Sequence, residues 1–457
     1  TDRGVIFMNG KDIQYSRPKK VQLVTLGCSK NRVDSEHLLK QMASEGVEIV
    51  GSDHVLGEKS KVDAVILNTC GFIKDAKEES IEAILAAVEA KACGYVGQVF
   101  VFGCLSQRYK DELVEEIPEV DGFFGAFDWD SILNAMGMTK KESLLQERYL
   151  TTPKHYAYLK ISEGCDRTCS YCAIPGIRGR HISVPMEELV EEARNLASMG
   201  VRELIVIAQD TTYYGLDLYK RRALGELLGK LCEIEGIEWI RIHYSYPDQF
   251  PDDVLEIMAS NPKICKYIDI PLQHSSSKVL KMMRRSIDGP QTQAVIDRIK
   301  AKVPGVVLRT TLIVGHPGED RREFDKLLAF VQRNKFDRLG AFTYSEEEGT
   351  YGALHFKDTV RESTKQARYE ELMELQSVIS LNANEARVGS VEKVIVDSCN
   401  DGVLVCRSQG ESPEVDGEIL IGNTGEFAPE KLIGKFVTAK IVGANEYDLL
   451  AEIISVE

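Results

Sequence analysis

From Val21 onward the chain repeats one pattern, an apolar run of strand length followed by an amphipathic run of helix length. "VQLVTLGC" precedes "SEHLLKQMASEG", "VDAVILNTC" precedes "AKEESIEAILAAVEA", and "GQVFVFGC" precedes "KDELVEEI". Apolar strands alternating with amphipathic helices predict a parallel sheet covered on both faces. Each of these strands ends in a cysteine, namely Cys28, Cys70 and Cys104. Ligands of such sheets bind at the carboxyl ends of the strands, so three residues far apart in sequence can meet in one crevice. A single cysteine in a strand is ordinary core. Three at matching ends, with Gly27 and Gly103 before two of them and Gly71 after the third, point instead to a shared site.

The alternation lapses over "GMTKKESLLQERYLTTPKHY", which reads as a linker, and then resumes. Six further strands are expected in "YAYLKISEGC", "VRELIVIA", "IEWIRIHY", "KYIDIPLQ", "VVLRTTLIVG" and "RLGAFTY". Six units fall short of the eight that close a full barrel, so an open partial barrel is expected. Polar stretches such as "QDTTYYG", "YSYPDQ", "QHSSS" and "GHPGED" follow its strands, where a barrel enzyme places its active site. A long helical pattern then leads to five short strands with Gly-rich turns, which suggest a small barrel. The expected fold is α/β: an N-terminal parallel domain over 21–137, a linker over 138–154, a partial (β/α)6 barrel over 155–383, and a small antiparallel β-barrel over 384–457. Residues 1–20 show little periodicity and are set aside as a leader or expression remnant.

The stretch "SEGCDRTCSYCAIPG" places Cys165, Cys169 and Cys172 within eight residues and supplies no fourth cysteine nearby. A zinc site or an electron-transfer cluster normally takes four protein ligands. Three thiolates this close can cap one face of a 4Fe-4S cubane and leave one iron open; a three-cysteine zinc site completed by histidine is the alternative. The chain holds 11 cysteines, an odd number, and a disulfide framework belongs to small secreted domains. No run of roughly 18 apolar residues and no signal-peptide layout are present, so a soluble, cytoplasmic protein without membrane contact is expected.

The cysteine stretch, with Tyr171 before its last cysteine, resembles the motif of the radical SAM superfamily. That resemblance implies that S-adenosylmethionine (SAM) chelates the open iron and is cleaved there to a 5'-deoxyadenosyl radical, with Tyr171 either touching SAM or merely packing. "TLGCSKNRVDSE", "LNTCGFI" and "FGCLSQRY" are similar to the N-terminal domain of the methylthiotransferases, and the tail is similar to a TRAM domain. The family then implies a second 4Fe-4S cluster on Cys28, Cys70 and Cys104 that carries the transferred sulfur. "CAIPGIRGR", "AQDTTYYG", "DIPLQHSSSKVLKMMRR" and "LRTTLIVGHPGE" resemble the branch acting on ribosomal protein S-twelve rather than the tRNA-adenosine branch. The implied reaction adds a methylthio group to the β carbon of an aspartate, one SAM giving the methyl group and a second the radical. His316 departs from the pattern, which has a bulky aromatic there.

Charge separates the two branches independently. From Asn384 to Glu457 the chain has 14 acidic and six basic residues, a net −8 out of −15 overall. A tRNA-binding tail needs a Lys/Arg surplus to neutralise phosphates. An acidic tail instead attracts a basic ribosomal protein and speeds encounter, although a solvated acidic face serving solubility has the same composition. The competing functions are a tRNA adenosine methylthiotransferase and a non-catalytic two-cluster electron carrier; carriers use closely spaced four-cysteine runs, absent here. Gln209, Asp210 and Arg309 are further pocket candidates, against a structural hydrogen-bonding role. His243, His274 and His316 follow barrel strands, where a polar pocket role and a satisfied core histidine are balanced. Cys93, Cys232, Cys265, Cys399 and Cys406 lack ligand spacing and are expected in the core. The electron donor and sulfur source have no readable signature, and nothing demands more than a monomer.

Overall fold

The computed structural model describes residues 7–8, 11–12, 17–425 and 427–457, so most of the stretch set aside as a leader lies outside the described residues. The chain divides into two compact units: the first is residues 1–151 with Gly164–Asp166 and Ala173–Arg180, and the second is the remainder.

In the first unit, strands β1 (Lys20–Thr25), β2 (Glu48–Val50), β3 (Val62–Thr69), β4 (Val96–Gly103) and β5 (Gly122–Phe123) form one parallel sheet in the order β2-β1-β3-β4-β5. Helix α1 (Ser29–Ala43) follows β1, α2 (Lys74–Ala92) follows β3, and α3 (Cys104–Glu116) follows β4. The central strands are apolar on both faces because both are covered. Ile66, Phe100 and Phe102 pack with Leu38 and Met42 of α1, whereas Val65, Val99 and Val101 pack with Ile84 of α2 and Leu113 of α3. Helices α1 and α2 thus leave adjacent strands β1 and β3 toward opposite faces, which opens a crevice at the carboxyl ends of those two strands.

The segment that reads as a linker is tied to this unit. Arg148, on the loop, forms a buried ion pair with Glu36 of α1, and Thr151 N–H donates to the same carboxylate at 2.8 Å.

In the second unit, β6 (Tyr156–Lys160), β7 (Glu203–Ile207), β8 (Trp239–Ile242), β9 (Ile264–Asp269), β10 (Val307–Val314) and β11 (Arg338–Thr343) pair in chain order, all parallel and with unpaired ends. This is the open six-stranded barrel expected from the sequence. Alternate residues of β10 show its two faces: Leu308, Leu312 and Val314 are fully buried, while Arg309, Thr311 and Ile313 are only partly covered.

Helix α4 (Glu362–Glu385) leads from this half-barrel to β12 (Val391–Asn400), β13 (Val403–Arg407), β14 (Ile419–Ile421), β15 (Phe436–Ala444) and β16 (Leu449–Val456), which close into a barrel. Four of its five pairings are antiparallel as expected. The closing pair, β14 with β16, is parallel, because an excursion between β14 and the β15–β16 hairpin reverses the sense in which the chain returns.

The terminal barrel seats on the half-barrel through Ile395 and Phe436, which pack on Trp239, Cys265 and Tyr267. Around that contact lies an ionic network. Glu203 accepts from Arg241 Nε and Arg407 Nη2, both at 2.8 Å, and Arg407 also donates to Asp397 at 2.9 Å. His155 Nε2 is 2.7 Å from the other side of this network, at Asp397 Oδ1. No helix among the described residues is long and apolar enough to cross a membrane.

Of the five cysteines expected in the core, Cys265 and Cys406 are buried and Cys232 and Cys399 partly so. Cys93 is exposed, which corrects the expectation; it caps the carboxyl end of α2, where the helix has already turned out to solvent.

Candidate active site

Cys28, Cys70 and Cys104 follow β1, β3 and β4, three adjacent strands, at the carboxyl end of the sheet. Two glycines let the loops close on one another. A Cβ on Gly27, whose φ is +87°, would sit 2.7 Å from Cys70 Cβ and 3.0 Å from Cys70 Sγ. A Cβ on Gly71 would sit 2.7 Å from the Leu105 backbone nitrogen.

Asn31 of α1 organises the rim. Its amide nitrogen donates to Leu26 O at 2.9 Å and Thr69 O at 3.2 Å, while its Oδ1 is 4.0 Å from Cys28 Sγ and 3.8 Å from Cys104 Sγ. Burial pushes the Cys104 thiol up to about 11; Arg178 opposes that rise, and the thiols of Cys28 and Cys70 add to it. Burial also raises Cys70, with a further contribution from Cys28. The Cys70 and Cys104 thiols, whose ionisation burial and the neighbouring sulfurs disfavour, sit beside Cys28, and a bound metal centre would reverse that balance by holding them as thiolates. This donor set fits a cluster with one open iron.

The second triad follows β6. Within the first unit, Cys165 N–H donates to Gly179 O at 3.1 Å. Within the second, Cys172 N–H donates to Cys169 O at 3.1 Å, a tight turn, and the loop is pinned on both sides of Ser170. Ser170 N–H donates to Met283 O at 2.9 Å, and Ser170 O accepts from Gly352 N–H at 2.6 Å.

Arginines flank this loop. Arg167, between the first two cysteines, donates to Asp210 at 2.9 Å and lies 3.9 Å over the Tyr246 ring. Arg285 covers the other face of the site: its guanidinium is 4.1 Å from the same ring, Nη1 is 3.9 Å from Cys169 Sγ, and Nη2 donates to Pro271 O at 2.7 Å. Burial raises the Tyr171 phenol well above its ordinary value, the neighbouring Cys169 adds to that, and Tyr171 hydrogen-bonds the Cys169 thiol.

The remaining candidates separate. Gln209 donates to Glu163 at 2.6 Å, and Asp210 both anchors Arg167 and caps the following turn by accepting from Thr212 N–H at 3.0 Å. Both lie just past β7, beside the loop. Arg309 is placed elsewhere, bridging Asp269 at 3.0 Å and Asp416 of the terminal barrel at 3.4 Å. His243 also faces the terminal barrel, with Nε2 2.8 Å from Ser412 Oγ, and His274 pairs with Glu319 at 3.0 Å.

His316 touches the cysteine loop at Ser170. Its Nδ1 faces Pro317 O at 2.8 Å, so it carries the proton there, and Nε2 is left to accept from Ser170 Oγ at 3.3 Å. Tyr344 and Phe356 supply aromatic walls around its ring.

Four buried polar atoms at this end of the half-barrel, Ser162 Oγ, Gln209 Oε1, Ser245 Oγ and Gln273 Oε1, have no hydrogen-bond partner among the described residues. Tyr244 and Gln273 also hold positive φ, +58° and +70°. Unpaired polar groups and backbone strain gathered at one mouth suit a polar ligand such as SAM. Among the described residues no group of three or more His, Cys, Asp or Glu side chains is arranged to hold a single metal ion. A cubane spreads three cysteines over three irons and does not need that closeness.

Sequence reading missed Arg167, Arg178, Asn31 and Arg285. For Arg167 and Arg178 the signal available was a charged residue inside or just beyond a cysteine motif, in "CDRTC" and "GIRGR".

Three family models match the chain: the radical SAM superfamily over residues 159–331, an uncharacterised protein family (UPF0004) over 20–125, and the TRAM domain over 388–454. The chain is 50% identical to the ribosomal protein uS12 methylthiotransferase RimO of Cytophaga hutchinsonii, over 95% of its own length and 98% of that protein's. It is 49% identical to the RimO of Bacteroides thetaiotaomicron, over 96% and 99%. The chain belongs to the RimO family. Among solved structures, the radical SAM methyltransferase TsrM of Kitasatospora setae matches with a TM-score of 0.53 at 12% identity, covering 85% of this chain and 80% of that one. That likeness concerns the fold alone. Within the RimO family frame, the UPF0004 match contains Cys28, Cys70 and Cys104, and the radical SAM match contains Cys165, Cys169 and Cys172.

Proposed function

We propose that this protein is a radical SAM methylthiotransferase of the cytoplasm that adds a methylthio group to the β carbon of an aspartate of ribosomal protein uS12. The observation that carries the reading is the pair of cysteine triads, one at three strand ends of the first unit's parallel sheet and one in the segment that follows β6 in sequence, in a chain half identical to RimO proteins along nearly its whole length. Cys165, Cys169 and Cys172 would hold one 4Fe-4S cluster and Cys28, Cys70 and Cys104 the other, with the sequence divisions at 21–137, 155–383 and 384–457 as the three working domains.

When bound, the clusters and SAM supply the radical that takes the hydrogen and the methylthio group that replaces it, so the substrate gains CH2S and one electron returns to the iron-sulfur centre. The chain's own residues hold and shield that chemistry. Arg167, anchored on Asp210, and Arg285 fix the cysteine loop from two sides, while Ser162, Gln209, Ser245 and Gln273 offer unpaired polar atoms to SAM. Tyr171 hydrogen-bonds Cys169, which supports a role in orienting that thiolate. The acidic terminal barrel would receive the basic ribosomal protein. The geometry around Arg309 favours a structural role, in seating that barrel.

The test is anaerobic reconstitution with iron and SAM, a reductant and a sulfide source, followed by mass spectrometry of uS12 peptides. A gain of one CH2S on an aspartate is expected, and it disappears in Cys28→Ala and Cys165→Ala. Methylthioadenosine in digested tRNA with unmodified uS12 would overturn the substrate assignment.

A further inference from the structure

Arg178 lies six residues beyond Cys172 in sequence, yet the segment Ala173–Arg180 packs as part of the first unit. The residue is only 4% exposed, and each nitrogen of its guanidinium has its own acceptor: Nε donates to Cys104 Sγ at 3.2 Å, Nη1 to Asp34 Oδ2 at 2.9 Å, and Nη2 to Asn31 Oδ1 at 2.6 Å. Asp34 and Asn31 are themselves buried on α1, the helix that begins just after Cys28. The fork is thus fixed on two sides so that its third N–H points at a sulfur.

A buried arginine is tolerated where its charge and its donors are matched. A neutral thiol is a weak acceptor, whereas a thiolate makes a charge-assisted hydrogen bond. The placement therefore suits Cys104 as a cluster-bound thiolate. Hydrogen bonds to ligand sulfurs draw off negative charge and favour the reduced form of an iron-sulfur centre.

We propose that Arg178 is a positioning residue that raises the reduction potential of the cluster held by Cys28, Cys70 and Cys104, through its Nε–H bond to Cys104. The consequence is a sulfur-carrying centre ready to accept the electron released when the carbon–sulfur bond forms. This inference rests on the proposed cluster at that triad.

The experiment uses the full chain with Cys165, Cys169 and Cys172 replaced by Ala, so that only the first-unit cluster remains, and compares native Arg178 with Arg178→Lys and Arg178→Gln. Iron and sulfide are measured, and the midpoint potential is read by EPR-monitored redox titration. About four irons are expected with native Arg178, with a potential that falls in Arg178→Lys and falls further in Arg178→Gln. Lysine keeps the charge but cannot present one donor to Cys104 while binding Asn31 and Asp34. If Arg178→Gln does not fold, Arg178→Lys decides alone. An unchanged potential in a cluster-bearing variant, even one with lowered thermal stability, makes Arg178 merely structural and overturns the inference. No iron with native Arg178 overturns the cluster reading, and the inference with it.

Discussion

Replacing Glu203 tests how the terminal barrel is held on the half-barrel. The carboxylate is fully buried and accepts from two arginines, Arg241 and Arg407, each at 2.8 Å. Burial alone would raise its pKa; the two guanidiniums reverse that and hold it below the usual carboxylate range. In Glu203→Ala the two cations fare differently. Arg407 keeps Asp397, whereas Arg241 keeps only carbonyl acceptors, Gln409 O at 2.7 Å and Ser408 O at 3.3 Å. An uncompensated buried charge costs about 3–5 kcal/mol. At roughly 2 °C per kcal/mol for a unit of this size, the thermal midpoint should fall by about 6–10 °C.

The reporter is built in. Of the chain's two tryptophans, Trp239 has its ring 4.7 Å from that of Phe436 across the junction, so Trp129→Phe leaves a single tryptophan, at the contact. Removing the stranded cation should recover part of the loss, so Glu203→Ala/Arg241→Met is expected to be more stable than Glu203→Ala by about 1–2 kcal/mol. A Glu203→Ala cost below about 1 kcal/mol, or a double variant no better than the single one, would refute the reasoning.

Acid should destabilise the second unit in two windows. Burial lowers His316 from 6.5 to about 4, so its unfolded form binds the extra proton and stability drains as pH falls from 6.5 toward 4. Arg387 and Arg338 overcome burial to bring Glu411 down to about 2, so its contribution is present above 4.5 and is lost as pH falls through 2. Each window corresponds to about 3 kcal/mol, and His316→Phe should flatten the upper one in a pH series of thermal melts; an unchanged slope would count against it. Asp210→Asn should leave iron content intact but slow SAM cleavage by about tenfold or more, because Arg167 loses its anchor and the loop its alignment; an unchanged 5'-deoxyadenosine yield would remove Asp210 from the site. Binding of uS12 should weaken as salt rises from about 0.05 to 0.5 M while tRNA stays unbound, and salt-independent uS12 binding would separate the acidic surface from recognition.

The architecture was legible because the periodicities are clean. Strand-length apolar runs that are buried on both faces, as in β3, occur only when helices cover both sides of the sheet, and six strand-and-helix units in sequence order made the open barrel readable. The meeting of Cys28, Cys70 and Cys104 was legible from their position at three strand ends. What could not be read is what long-range packing decides. Sequence leaves Arg309 open between a pocket role and a structural one, and only the fold brings its side chain to Asp416, more than a hundred residues away. Arg178 sits in a short stretch that reads as motif flank, and only the fold carries it to Cys104. The departure at His316 is explained by local chemistry: it fills an aromatic niche beside Tyr344 and Phe356 and adds an acceptor for Ser170 that a phenylalanine lacks.

Folding also changes what the acidic tail means. Composition counts each carboxylate equally, but Asp397, Glu411 and Asp416 are turned inward and matched by Arg407, by Arg387 with Arg338, and by Arg309. These acids fasten the terminal barrel to the half-barrel and present little charge to a partner. The outward surface keeps the sign all the same, since Glu385, Asp401, Glu414, Glu418, Glu430, Glu446, Glu452 and Glu457 are exposed alongside Lys393, Lys431, Lys435 and Lys440. An exposed acidic surplus repels phosphate and attracts a basic protein, while the inward carboxylates keep the surface that carries it in a fixed position below the half-barrel's strands. On the proposed reading, steering of uS12 would fall to the outward acids, while the inward ones hold the barrel in place. If that reading holds, neutralising Glu446 and Glu452 should slow association with uS12 and leave the thermal midpoint unchanged, whereas neutralising Glu411 or Asp416 should lower the thermal midpoint.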